Sequence, residues 1–327
     1  MIAKVRLPLA QKDSQNQKDF TNFGNNANNN PKQDNKIEVE IKIKHDGDVN
    51  KAKSLPFTSK YSIIATQTDK GEIHIFDYFK HPNQPKEENE ESKPELKLKG
   101  HEKSGFGLDW SIINQGSLLS GNEDGKVCLW REINDTTYDC LYEYRDEEKA
   151  TSMNYIAFSK NNTDLTFASG GADGNITIHQ YINDKFSSEK IFAHDYGVNS
   201  INFSQNNPNE FVSCGNDSII KIWVLNKESL KWENTSSIDD IDIIFNEAIF
   251  RPGSNEECLA CCGDEGQAYL IWKEGQKWNK KEISSFDKGI SQLSWDDNGT
   301  TLMAVLNDGE LLPIDQENLI LVNDNEN

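Results

Sequence analysis

Two sets of residues in this sequence have the side chains of a Ser-His-Asp catalytic triad, which makes a serine nucleophilic in many hydrolases. The first set is His101, Ser120, Asp124 and Trp130, and the second is His194, Ser213, Asp217 and Trp223. A catalytic triad occurs once and lies beside groups that stabilise an oxyanion. Because this set occurs twice at the same spacing, we interpret it as a buried hydrogen-bond network that stabilises the fold, and we predict no enzymatic activity.

Two further segments have residue types that bind metals or phosphates. Cys258, Cys261 and Cys262 resemble half of a zinc site, but no matching pair of cysteines or histidines is evident elsewhere in the sequence. The run GGADG at 170–174 joins two predicted strands, whereas a phosphate-binding loop opens a helix. We therefore interpret the cysteines as part of a buried strand and predict neither a metal nor a cofactor.

Short β segments, rather than helices, have to position these residues. Segments such as 61–68, 126–130 and 219–223 are rich in Ile, Val, Thr, Tyr and Phe and end at turn residues. An Asp-Gly or similar turn precedes the last strand of each unit, and such turns close β-hairpins. Three of the units begin at a histidine that stands 23 or 24 residues before the turn aspartate: His45 before Asp69, His101 before Asp124 and His194 before Asp217.

These segments recur at a period of roughly 40 residues, with a Gly-His-like beginning and a Trp-Asp-like end, which is typical of the blades of a WD40 β-propeller. The six units cover residues 45–78, 100–130, 147–181, 193–225, 239–273 and 286–315. We predict an all-β propeller with six full blades, in which the outer strand of each blade comes from the start of the next unit. Segments 1–8, 37–44 and 317–324 remain, and they could form an incomplete seventh blade.

Composition restricts the partners. The formal net charge of −20 repels phosphate backbones and anionic lipids, so we predict basic partners and no direct nucleic-acid binding. The chain lacks an apolar run long enough for a signal peptide or a membrane span, and its cysteines show no paired spacing. We expect a nuclear or cytoplasmic protein without membrane insertion, with a disordered loop at 11–36 and a surface loop at 81–94.

The N-terminal third resembles a specific WD40 family. The segments IEVEIKIKHDGDVNKAK (37–53), IIATQTDKGEIHIFDYFKHPNQP (63–85) and PELKLKGHEKSGFGLDW (94–110) are similar to the retinoblastoma-binding, MSI-type histone chaperones of chromatin complexes. This resemblance covers residues 1–131. It implies a chromatin adaptor whose propeller binds basic, histone-like tails on its top face. Because the chain does not show that family's N-terminal helix, we expect no second histone site on the side of the propeller.

The rest of the chain resembles another WD40 family. The segments AHDYGVNSINFS (193–204) and SSFDKGISQLSW (284–295) are similar to the Sec-type subunit of the COPII vesicle coat and the nuclear pore scaffold, and this resemblance spans 126–313. That family takes a seventh blade from its partner by strand addition. The alternative function is therefore a structural subunit that accepts strands from coat or pore subunits.

The chaperone resemblance also implies individual binding residues. Asp48 and Asn50 match two positions that contact the tail, and Phe106 matches an aromatic one. By this resemblance, Asp48 pairs with a Lys or Arg of the tail, Asn50 bonds its backbone, and Phe106 packs on an aliphatic stem. Ser104 stands where the family carries an acidic residue, so the match is incomplete.

Overall fold

The structure is a computed structural model. It describes residues 2–6, 38–43, 45–56, 62–81, 93–134, 137–145, 151–160, 165–182, 185–254 and 257–320. The predicted disordered loop at 11–36 and most of the predicted loop at 81–94 lie outside these residues.

Six antiparallel sheets follow one another along the chain, and each begins with its innermost strand. The innermost strands are β3 (Val49–Ser54), β7 (Gly105–Trp110), β11 (Met153–Phe158), β15 (Val198–Phe203), β19 (Phe245–Phe250) and β23 (Ile290–Trp295). The second strands are β4 (Ile63–Thr68), β8 (Ser117–Asn122), β12 (Leu165–Gly171), β16 (Glu210–Gly215), β20 (Cys258–Gly263) and β24 (Leu302–Leu306).

The third strands are β5 (Ile73–Asp77), β9 (Lys126–Asn134), β13 (Asn175–Ile182), β17 (Ile220–Asn226), β21 (Gln267–Glu274) and β25 (Leu311–Ile314). The outer strands are β6 (Leu96–Leu98), β10 (Thr137–Arg145), β14 (Lys185–Phe192), β18 (Lys231–Ile238) and β22 (Lys277–Ser285). The first five sheets thus have four strands, and the sixth has three among the described residues. Together the sheets form the six blades of a β-propeller, as predicted. The prediction that each outer strand comes from the start of the next unit is wrong, because the outer strands lie in the segments between the units.

The innermost strands lie side by side in chain order, from β3 to β23. Each pair of neighbouring blades encloses its own apolar cluster, because one face of a blade packs against the inner strands of the next. The cluster between blades 3 and 4, for example, contains Phe203, Phe211 and Trp223. Burial of such side chains, at about 25 cal/mol per Å² of apolar surface, stabilises the stack of blades.

Two strands lie outside the six blades. β1 (Ile2–Arg6) and β2 (Glu38–Ile43) pair antiparallel in a sheet of their own. Ile43, at the end of β2, is buried against Phe76 and Tyr78 of blade 1. Whether these strands belong to a seventh blade stays a prediction.

The expected strand at 317–324 is wrong over its first residues. They belong to a 3₁₀ helix, Gln316–Leu319, in which the Asp315 side chain accepts a hydrogen bond from the Glu317 amide. The Asn318 side chain donates to the Ile283 carbonyl of β22, at 3.0 Å, and Leu319 is buried. These contacts direct the chain back onto blade 5. Among the described residues, no helix is long and apolar enough to cross a membrane.

Candidate protein-binding face

The loops before the innermost strands lie beside the turns that join the second and third strands. Backbone hydrogen bonds connect the two in five blades: Asp69 N to Asp48 O, Glu123 N to Ser104 O, Ala172 N to Ser152 O, Asn216 N to Gly197 O and Asn307 N to Gly289 O. These loops and turns therefore form one face of the propeller, which we call the top face. Insertions and binding residues of repeat proteins concentrate on such a loop face.

In blade 4, the second predicted Ser-His-Asp set forms one continuous chain of hydrogen bonds. His194 Nδ1 lies 2.9 Å from Asp217 Oδ1, and His194 Nε2 lies 2.7 Å from Ser213 Oγ. Trp223 Nε1 donates to the same Ser213 Oγ at 2.9 Å. Burial lowers the pKa of His194, although Asp217 opposes this change, so the imidazole is neutral at physiological pH. Ser213 and His194 are fully buried, so a substrate has no access to the serine.

Blade 2 repeats this chain with small differences. Ser120 Oγ lies 2.7 Å from His101 Nε2 and accepts from Trp130 Nε1 at 2.8 Å, while His101 Nδ1 is 3.5 Å from Asp124 Oδ1. Burial raises the pKa of Asp124, but the nearby His101 and hydrogen bonds from the backbone amides of Glu102 and Lys126 outweigh it and lower the value to about 2. The ionised aspartate connects the top-face loop to the turn, which makes this a structural network.

Blades 3 and 5 depart from the full set. In blade 3, Ser169 and His179 occupy the positions of the serine and tryptophan, with Oγ and Nε2 3.1 Å apart. In blade 5, the serine position is Cys261, which packs with Ile271 in an apolar cluster. The hydrogen-bond network therefore varies from blade to blade, while the β-sheet of each blade is retained.

The three residues predicted to contact a basic tail lie at the junction of blades 1 and 2. Asp48 is exposed, and its backbone amide donates to Asp69 Oδ1 at 3.0 Å. Asn50 Nδ2 donates to Ser104 Oγ at 2.7 Å and to Gly105 O at 3.1 Å. Phe106 follows directly, with 44% of its surface exposed. Because both Nδ2 hydrogens of Asn50 are already used, this residue has only its Oδ1 to offer to a peptide, as an acceptor.

Gly47 allows the loop that carries Asp48 to close on the neighbouring turn. Its φ of 85° lies in the left-handed region, and a Cβ atom there would lie 2.5 Å from Asp69 Oδ1. A residue with a side chain would be strained at this φ and would push Asp69 away. The position of the Asp48 carboxylate thus depends on a glycine two residues after His45.

The structure also shows a ring of bulged residues that the sequence reasoning missed. In every blade, the pairing of the innermost strand with the second strand shifts around its second residue, which is left unpaired. These bulged residues are Asn50, Phe106, Asn154, Asn199, Asn246 and Ser291. They encircle the opening of the central channel on the top face.

Three of the bulged asparagines connect neighbouring blades. The Nδ2 of Asn50, Asn199 and Asn246 donates to the carbonyl of the first residue in the next innermost strand, at 2.9–3.1 Å. A sequence signal for them exists, since an apolar residue followed by Asn recurs as VN (49–50), MN (153–154), VN (198–199) and FN (245–246). Phe106 breaks this pattern, and it is the one aromatic residue in the ring.

The top face is acidic and carries exposed apolar side chains. Its exposed carboxylates are Asp46, Asp48, Asp69, Glu102, Glu123, Asp195, Asp239, Asp240, Asp242, Asp264, Glu265, Asp287, Asp308 and Glu310. Of the lysines in the same loops, Lys70 is paired with Asp46 and Lys288 with Asp308. Tyr196 is 83% exposed, and its left-handed backbone (φ 65°) is held by the Asn216 side chain, which donates to its carbonyl at 2.7 Å. An acidic surface with aromatic anchors favours basic peptides.

The cysteines do not converge. Cys258 and Cys262 face the cluster shared with blade 6, whereas Cys261 points to the opposite face of the sheet, toward blade 4. Burial raises the pKa values of Cys261 and Cys262, which opposes formation of the thiolates that zinc requires. Within the described part of the chain, no three His, Cys, Asp or Glu side chains are grouped so that they could hold a metal ion.

Comparison with known families agrees with this architecture. The family model described as WD domain, G-beta repeat, matches residues 186–224. The matched segment contains nearly all of the outer strand β14 of blade 3 and of the first three strands of blade 4. It includes all four residues of the blade 4 hydrogen-bond network. The repeat match and the six blades support a WD40 β-propeller, a fold that generally provides a scaffold for protein interactions.

Proposed function

We propose that this protein is a non-enzymatic, histone-binding chromatin adaptor that binds basic tails on its top face, as the resemblance of residues 1–131 implies. The observation that carries the proposal is the acidic top face around Phe106 at the junction of blades 1 and 2. A Lys- or Arg-rich tail meets carboxylates in the loops of neighbouring blades there. Association with such a surface is fast and depends on salt.

Local geometry supports the assignment of three contacts to the tail. The Asp48 carboxylate is exposed on a loop that Asp69 holds in place, so it can pair with a lysine or an arginine. The Oδ1 atom of Asn50 can accept a backbone N–H of an extended peptide. The Phe106 ring then packs along the aliphatic stem of a long basic side chain.

Isothermal titration calorimetry with a Lys/Arg-rich histone-tail peptide tests this proposal. Asp48→Lys should weaken binding at least tenfold, about 1.4 kcal/mol, and the wild-type affinity should fall as salt rises. Glu228→Lys is the matched control, since it makes the same charge change in the exposed turn between β17 and β18, away from the top face. Absence of binding at low salt, or equal effects of the two substitutions, would contradict the proposal.

A second candidate function is a Sec-type structural subunit of the vesicle coat or nuclear pore. One observation favours it: in the described residues, β25 pairs with β24 alone, so blade 6 has three strands. On the face of blade 6 that points away from blade 5, Met303, Val305 and Leu311 are only half-buried. An open strand edge beside a partly exposed apolar face suits strand addition by a partner.

Affinity purification from cells separates the two candidates. Recovery of chromatin subunits that Asp48→Lys abolishes and Val305→Lys does not would support the first. Recovery of coat or pore subunits that Val305→Lys abolishes and Asp48→Lys does not would support the second. Circular dichroism of both purified variants controls for loss of folding.

A further inference from the structure

Side chains from three alternating blades meet at the centre of the propeller. The ammonium group of Lys51, on β3, lies 5.2 Å from the centre of the Tyr155 ring on β11. The Tyr155 hydroxyl donates to Glu247 Oε1, on β19, at 3.1 Å. Because β7 lies between β3 and β11, and β15 between β11 and β19, these contacts pass through the central channel.

The carboxylates in this channel are already bound by neighbouring blades. Glu247 accepts the Tyr155 hydroxyl through one oxygen and the Leu293 amide of blade 6 through the other, at 2.5 Å. Asp109, on β7, accepts the Phe158 amide of blade 3 at 2.9 Å. These bonds orient the two carboxylates toward the groups that donate to them.

The lysines of the channel lack such partners. Lys51 and Lys53 lie on β3, and Lys160 follows β11. The charge of Lys53 lowers the pKa of both other lysines, while the more distant charges of Asp109 and Glu247 raise it. Among the described residues, no carboxylate lies within 4.0 Å of any of these three ammonium groups, although such pairs occur elsewhere in the protein. Burial lowers the pKa of Lys51 to about 8 and also lowers that of Lys160, as expected for ammonium groups without a paired anion.

All three lysines are half-buried, so a part of each stays accessible. We propose that the central channel binds a small oxyanion, a phosphate or carboxylate group, through Lys51, Lys53 and Lys160. Lysine ammonium groups bind oxyanions as point charges, and the surrounding protein strengthens this attraction relative to water. A chain with a net charge of −20 thus has three lysines in the channel that lies behind its acidic top face.

This inference does not rest on the proposed function, and it constrains how a tail can bind. The channel lysines repel a basic peptide that enters from the top face. A bound basic tail therefore lies across the top face and does not descend into the channel.

Thermal unfolding at constant ionic strength tests the oxyanion site, with inorganic phosphate and acetate as probes and chloride as the reference. At least one probe should raise the Tm of the wild type by several degrees, because a ligand that binds only the folded state stabilises it. Phosphate alone would identify a phosphate site, and a response to acetate would identify a carboxylate site. No rise with either probe would overturn the proposal.

Variants of the channel lysines test whether the rise in Tm comes from binding in the channel. Lys51→Gln and Lys160→Gln should each abolish the rise in Tm, whereas Lys227→Gln should keep it, since Lys227 is exposed in the turn between β17 and β18. Both channel variants remove a desolvated charge, so we expect them to fold, and either one suffices if the other does not. An equal response in the wild type and in both channel variants would show nonspecific stabilisation and would sink the oxyanion site.

Discussion

Blade 4 and blade 6 have the same order of strands, yet they differ in what surrounds them. Residues at matching positions of their second strands are Phe211 and Leu302, Val212 and Met303, Ser213 and Ala304, and Cys214 and Val305, as the pairing with the innermost strands defines. In blade 4 all of these residues are buried. In blade 6, Met303 and Val305 are half-buried.

The difference shows what a repeat does and does not encode. Each blade packs against the preceding blade through one face, and blades 4 and 6 both do so. The other face of blade 4 is covered by blade 5, whereas among the described residues β23 does not pack against β3 as the other innermost strands pack together. Among the described residues, blade 4 is therefore covered by a neighbouring blade on both faces, whereas blade 6 is covered on one face.

The largest effects on stability are expected on the face through which blade 4 and blade 6 each pack against the preceding blade. Phe211→Ala removes a fully buried ring that packs against Phe203, Trp223 and Trp232, and should lower the free energy of unfolding by about 3–5 kcal/mol. Leu302→Ala, at the matching position, should cost about 2–5 kcal/mol. Chemical denaturation measures both. If Leu302→Ala costs little, blade 6 is not packed on blade 5 as described.

A smaller effect concerns the pH dependence of stability, and it is expected in blade 4 through Glu210. Burial, with a contribution from Glu257, raises the pKa of Glu210 from 4.5 to about 7. The folded state then keeps a proton that the unfolded state has lost, so stability should fall as pH rises from about 4.5 to 7, by on the order of 2–3 kcal/mol. Glu210→Gln should remove this part of the pH dependence. Denaturation midpoints of the two proteins at several pH values between 4 and 8 provide the check, and parallel curves would contradict the assignment.

The hydrogen-bond network of blade 4 should contribute slightly less. Ser213→Ala leaves His194 Nε2 and Trp223 Nε1 buried without a partner, which should cost about 1–3 kcal/mol. Blade 6 already has Ala304 at this position. The reverse change, Ala304→Ser, should therefore give no stabilisation, because Phe286 and Ile314 stand where blade 4 has His194 and Trp223. Urea denaturation of Ser213→Ala and Ala304→Ser tests both expectations. If Ala304→Ser stabilises the protein, the serine does not need the histidine and tryptophan partners of blade 4.

The smallest effect is expected on the open face of blade 6. Val212→Ala should cost about 2 kcal/mol because blade 5 covers Val212, whereas Met303→Ala should cost less than about 1 kcal/mol. A large loss for Met303→Ala would mean that another part of the protein seals this face. Protein concentration should be varied in the measurement, since self-association through the same face would also raise the cost.

Much of the fold could be predicted from local patterns. The six units followed from the recurrence of short β segments and turns, because every blade repeats the same hydrophobic alternation. The two Ser-His-Asp-Trp sets were recognisable by their spacing, and their hydrogen bonds lie within single blades. The 3₁₀ helix at Gln316–Leu319 was not predictable, since ENLILV also suits a strand and contacts with β22 determine the outcome.

In the candidate binding site too, some features follow from the sequence and others depend on tertiary contacts. The family resemblance predicted Asp48, Asn50 and Phe106 as residues of the top face, and the structure has them near the start of β3 and β7. Only the tertiary structure showed that Asn50 is committed to Ser104 and Gly105.

The channel depends on tertiary structure even more strongly. Lys51, Tyr155 and Glu247 come from three separate blades, and no pattern within one blade relates them. The sequence by itself determined the blades, because their strands pair with near neighbours in the chain. The ring arrangement decided which side chains share the channel, because residues far apart in sequence meet only when the blades stack around an axis.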